Sequence, residues 1–193
     1  MLAQIEESRG NRNTAVANSD KALALSQGVP IQVLGAITYA EAGEFVKAQK
    51  LMTTLSSSLS SESQAYGKMI AGLIALKKKD TNEAIRQLTA GNNLLDTWIG
   101  RFELGRAYLE ADAFTEADAQ FDQCMKRRGE AIELFDDNVP TFAYFPFVYY
   151  YEGRAREGMK SAGFADFYKN YLAIRGQSPD DPLVADVRHR LGS

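Results

Sequence analysis

The sequence predicts an all-α chain, a right-handed superhelical solenoid of helix–turn–helix repeats. Three observations predict it. Small residues recur at a nearly constant step, and apolar side chains recur at helical spacing. The five prolines (Pro30, Pro140, Pro146, Pro179 and Pro182) fall between helical patterns or at their edges.

In chain order the patterns predict a partial helix at 2–8, then helices at 11–26, 30–42, 45–58, 63–78, 81–95, 97–112, 114–134, 144–158, 162–175 and 181–191. Ser61 with Gln64 and Asp80 with Glu83 read as capping boxes that satisfy the free amides of a helix start. Asp181 followed by Pro182 gives an N-cap and a preorganised first position for the last helix. Leu183, Val184, Val187 and Leu191 form the apolar side of that helix, with Asp186, Arg188 and Arg190 on the other, as a terminal cap requires.

The repeat is clearest at residues 101–121, where Leu104-Gly105 and Tyr108 precede Ala117 and Phe121. Gly105 and Ala117 let two helix backbones approach, and Leu104, Tyr108 and Phe121 fill the space beside them. Ala15, Ala48, Ala84, Ala117 and Ala165 continue the register at steps of 33, 36, 33 and 48 residues. Gly10 and Gly43 stand at turns, and Gly72 and Gly153 take the place of Gly105.

This spacing resembles the tetratricopeptide repeat, whose pattern of W-x2-L-G-x2-Y followed by A-x3-F extends over about 34 residues. Arg101 stands in the Trp place, and Glu152 and Arg156 replace the Leu and Tyr of the last unit. The resemblance covers nearly the whole chain as a single domain, 1–193. It implies a partial unit at 1–28, units at 30–63, 65–96, 97–135 and 144–176, a loop at 136–143 and the capping helix at 181–191. The first unit reads as cut off, so the chain is expected to be a fragment or the tail of something longer. The stretch from Met125 to Gly158, with its aromatic loop, looks like the closing part of repeat regions in bacterial multidomain signalling proteins. That likeness implies a sensing or assembly role beside a kinase, cyclase or regulator domain.

Charge and composition narrow the function. Apolar residues at 45% supply a continuous core, and 22 basic against 25 acidic residues leave no excess to wrap a nucleic acid backbone. The longest apolar runs, 69–76 and 142–151, are far short of the roughly 18 residues a membrane span needs. The N-terminus shows no signal-peptide pattern.

No catalytic, metal or cofactor constellation emerges. His189 is the single histidine, between two arginines, and reads as a solvated surface residue. Cys124 reads as a buried small residue, and Asp136-Asp137 and Asp180-Asp181 as turn and cap groups. The expectation is a non-enzymatic scaffold that binds a protein or peptide. The rival reading is a regulatory or self-associating segment of a larger signalling protein, and a groove for a small apolar ligand is a third.

In the resembling family the first helices line a concave groove. Carried onto this chain, its places give Val33, Ile37 and Glu41, then Tyr66, Met69 and Leu73, then Phe102, Arg106 and Glu110, then Phe147, Tyr150, Tyr151 and Arg154. The Lys and Asn places that grip a chaperone's C-terminal carboxylate in some members carry Val33, Ile37, Ile70 and Glu103, so that clamp is absent. Arg106 and Arg154 beside tyrosine rings are expected to hold a carboxylate of an apolar peptide.

Overall fold

Every regular element among the described residues is an α-helix. A computed structural model describes residues 2–130, 144–178 and 181–192. The helices are α1 (Leu2–Ser8), α2 (Arg12–Leu25), α3 (Val29–Ala42), α4 (Phe45–Ser56), α5 (Ser61–Lys77), α6 (Thr81–Leu94), α7 (Trp98–Glu110), α8 (Phe114–Lys126), α9 (Phe145–Gly158), α10 (Phe164–Arg175) and α11 (Pro182–Leu191). Among the described residues none is long and apolar enough to cross a membrane.

Most boundaries follow the sequence pattern, but α8 stops at Lys126 instead of continuing to 134. There Arg127 turns to Asp96 and Glu130 in ion pairs of 2.8 and 2.5 Å, and Gly129, a poor helix residue, follows. Residues 131–134, the loop expected at 136–143 with Asp136 and Asp137, and Asp180 lie outside the described residues.

Two caps differ from expectation. Ser60 caps α5 in place of Ser61, accepting the Ser63 amide at 3.4 Å, while Gln64 donates to the Ser58 carbonyl. Asp80 accepts the Glu83 amide at 3.1 Å, but the Glu83 carboxylate is taken by Arg86 and Gln87, so only half the capping box closes. Asp181 caps α11 as expected, through the Leu183 amide at 3.0 Å.

The turns carry the repeat. Gly10, Gly43, Lys79, Asp112 and Lys160 all have positive φ, at 79, 85, 66, 55 and 54°. At each, two amides reach back to the last helical turn. Gly43 donates to Ala40 and Glu44 to Tyr39; Asp112 donates to Leu109 and Ala113 to Tyr108. This is the closing geometry in which a left-handed residue satisfies the final carbonyls of a helix. The five positions are spaced by 33, 36, 33 and 48 residues, the same steps as the alanine register.

The helices pack in consecutive pairs, α1 with α2, α3 with α4, α5 with α6, α7 with α8 and α9 with α10, and α11 packs on α10. The first helices of successive pairs also touch: α3 on α5, α5 on α7, α7 on α9. α4, α6 and α8 instead lie between the first helices of adjoining pairs.

Ala15, Ala48, Ala84 and Ala117 are fully buried at the crossings. Ala165 is only half-buried, and the register is corrected there. A Cβ on Gly153 would lie 2.6 Å from Tyr168 Cε1, just as one on Gly105 would lie 2.6 Å from Phe121 Cε1. Gly163 adds a second left-handed residue (φ 83°) before α10, which delays the helix and turns a different side of it toward α9. The core falls into two clusters. The larger extends from Leu23 to Ala155, and the smaller joins Tyr150, Tyr168, Tyr171, Val184 and Val187.

Candidate functional site

Seven of the eleven side chains expected on a groove wall are interior. Val33, Ile37, Tyr66, Met69, Leu73, Phe102 and Tyr150 are each at most 4% exposed. The reason lies in the packing. Each central first helix meets its own partner, the second helix of the preceding pair and the neighbouring first helices. A helix enclosed in this way is apolar around most of its circumference. Eleven residues of α5 are buried, from Ser63 to Leu76, which leaves little of it to meet a partner. Their role as groove wall is therefore corrected to that of core.

Arg106, Phe147, Tyr151 and Arg154 remain partly exposed. Tyr151 stacks on Phe121 with ring centroids 5.9 Å apart and meets Phe102 edge-on at 5.6 Å. The Arg106 guanidinium lies over the Tyr151 ring at 5.5 Å. Phe147 packs on Tyr171 at 6.2 Å beneath the Arg175 guanidinium.

The two arginines belong to different networks. Arg106 Nη2 pairs with Glu41 Oε1 at 3.1 Å and its Nη1 with Glu103 Oε2 at 2.8 Å. Arg154 Nη1 donates to the Tyr150 hydroxyl at 3.0 Å, and that hydroxyl donates to Asp186 Oδ2 at 2.9 Å. The expected joint grip on one external carboxylate is therefore replaced by internal partners. Of the carboxylates expected to neutralise these arginines, only Glu103 does so; Glu110 pairs with Lys79 at 3.2 Å and Glu157 with Arg190 at 2.6 Å.

Lys77 completes the Arg106 network by pairing with Glu41. Burial acts to raise the Glu41 carboxyl, but Arg106 and Lys77 outweigh it and hold it below the usual range. Glu103 is fully buried, with Oε1 unpartnered among the described residues. Its burial wins over the attraction of Arg106 and pushes the carboxyl up to about 7. Lys77 went unnoticed in the sequence, although a signal was present. Residues 41, 77 and 110 are register equivalents, 36 and 33 residues apart, and they read Glu, Lys, Glu.

Beside this network α5, α7 and α9 enclose a pocket of about 220 Å³, lined by Lys77, Lys79, Arg106, Glu110 and Tyr151 with Leu76 and Leu109. A more apolar groove of about 290 Å³ lies between α1, α2 and α3, lined by Leu2, Leu25, Ile31 and Leu34 among others.

His189 is exposed near the end of α11. Cys124 is fully buried, and burial raises its thiol far above the ordinary value. Among the described residues no three His, Cys, Asp or Glu side chains are grouped as metal ligands. No protein-family model matches the chain, and no curated protein matches it.

Proposed function

We propose that the paired helices stack as a right-handed superhelical solenoid of the tetratricopeptide kind, and that the chain holds a segment of another protein on the face formed by the first helices. Five turns of one conformation at the repeat spacing support the architecture. Contacts between successive first helices, with the second helices set between adjoining pairs, place the first helices on the inside of the curve.

The observation that carries the binding reading is the pocket between α5, α7 and α9. It combines an aromatic ring, Tyr151, with both signs of charge at its rim, Lys79 and Glu110. Rigid aromatic and arginine side chains are the residue types that anchor protein interfaces. Its cations are already matched by Glu41, Glu103 and Glu110, so it suits a segment with an apolar anchor and mixed charge over a plain anion. An affinity near micromolar, about −8 kcal/mol, is expected of so small a contact.

The test is panning a displayed peptide library against the whole chain. Enrichment of a shared short motif is expected, together with its loss when the exposed rim is reversed by Lys79→Glu with Glu110→Lys. Absence of enrichment, or indifference to the reversal, overturns the reading.

A further inference from the structure

The first helix closes over the charge network described above. α1 packs on α2 and α3, and Gln4 is buried, with Nε2 3.5 Å from the hydroxyl of Tyr144 at the start of α9, 140 residues away. One turn later α1 presents Glu7. From α3 it faces Glu41, from α5 Lys77, and from α7 Glu103 and Arg106. The Tyr144 hydroxyl before α9 also lies within its field. α2 packs along α1 with its N-cap Asn11 on Glu6, at 2.8 Å, and not on Glu7.

Three carboxyls therefore share two cations. With Glu41 held ionised by Arg106 and Lys77, a closed α1 leaves Glu7 and Glu103 competing for charge compensation that is already used. The unpartnered Oε1 of Glu103 marks the same shortfall.

We propose that α1 is a clasp over the first-helix face, shut while the Glu7–Glu41–Glu103 cluster retains a proton and released when that proton leaves. The direction follows from linkage. Burial, reinforced by Glu41, pushes Glu7 up to about 8 in the closed state from an ordinary 4.5. Released into water, Glu7 ionises at its ordinary value. The closed state therefore binds a proton that the open state lacks between those two values. Across that window the opening constant rises by up to about tenfold per pH unit, and above it the constant is flat. Acid tightens the clasp and alkali frees it. The device stands whether or not the face it covers binds a peptide.

Spin labels on the exposed residues Leu2 and Leu59, introduced as L2C and L59C in the full chain, report the clasp by their distance distribution; Cys124 is fully buried and takes no label. The expected result is one short distance at about pH 5.5 and a growing longer population up to about pH 9. Glu7→Gln, which keeps the amide shape and removes the charge, should hold the short distance at both values. An unchanged distribution in the parent, or opening in Glu7→Gln to the same extent as in the parent, overturns the proposal. So does loss of helical circular dichroism with the same midpoint, because the opening would then be global.

Discussion

The ring of Phe121 occupies the space that a side chain on Gly105 would need. A Cβ there would meet Cε1 at 2.6 Å and Cζ at 2.8 Å. Gly72 stands in the same relation to Leu88, at 2.5 Å from Cγ. Both partners are at most 1% exposed, so neither ring nor branch has room to withdraw. Gly105→Ala should cost roughly 1–3 kcal/mol by overpacking, and Phe121→Ala about 3–5 kcal/mol by leaving a cavity. Thermal melts of the two variants check this. Melting with the parent would move the closest helix crossing elsewhere.

Two of the five turns hold left-handed residues that are not glycine and whose strain can be relieved. Lys79→Gly and Asp112→Gly should each stabilise the chain, by up to about 1 kcal/mol. Lys79 also forms an exposed pair with Glu110, whose loss subtracts little. The increments should add in the double variant, since the turns sit in separate pairs. Urea midpoints measure this.

Arg106 holds two buried carboxylates, and removing it leaves both uncompensated. Arg106→Ala should cost about 3–5 kcal/mol. Adding Glu103→Gln should recover part of that loss, because one of the stranded charges disappears. A single variant as stable as the parent would show that the network contributes nothing to folding.

Glu152 on α9 gives stability its own pH dependence. It is buried, with Arg156 Nη2 2.9 Å from Oε1, and Arg156 Nε lies 2.9 Å from Asp118 Oδ1 on α8. Burial, with Asp118 nearby, pushes Glu152 up to about 8 from 4.5. The folded chain therefore binds a proton that the unfolded chain has lost between those values, and stability falls as pH rises through the window. Glu152→Gln should remove about one proton from that slope, or up to tenfold per pH unit in the folding constant. Denaturation at a series of pH values, compared with the parent, reads it directly.

Truncation after Gly176 removes α11, which covers Tyr150, Tyr168 and Tyr171 with Val184 and Val187 and ties Asp186 to Tyr150 and Arg190 to Glu157. The shortened chain should associate through the uncovered tyrosines. Sedimentation velocity should show dimers or larger species; a stable monomer would contradict the capping role.

Local chemistry made the helices legible. Asp80, Thr97 and Asp181 cap where short-range rules place them, and Gly105, Ala117 and Phe121 lie within one recurring spacing. The candidate site was less legible, because which face of a helix stays open depends on every neighbour. Val33 and Leu73 read as groove positions until the flanking helices enclose them. Arg106 meets Glu41 across 65 residues, a distance over which no periodic pattern names a partner. The slip from Ala165 to Tyr168 hangs on the single turn residue Gly163, whose effect on helix phase is geometric and leaves no mark in the apolar pattern.

The division of the apolar interior gives the chain a direction of failure. Adjacent residues of α9 serve different clusters: Tyr151 packs on Phe121 in the larger one, while Tyr150 belongs with Tyr168 and Tyr171 in the smaller. A load applied to the C-terminus therefore reaches a small tyrosine cluster before it reaches the main one. The end peels first, α11 and then α10, and the seam within α9 arrests the tear. A tether attached at that end would lengthen in a short early step while the five-turn body stayed intact.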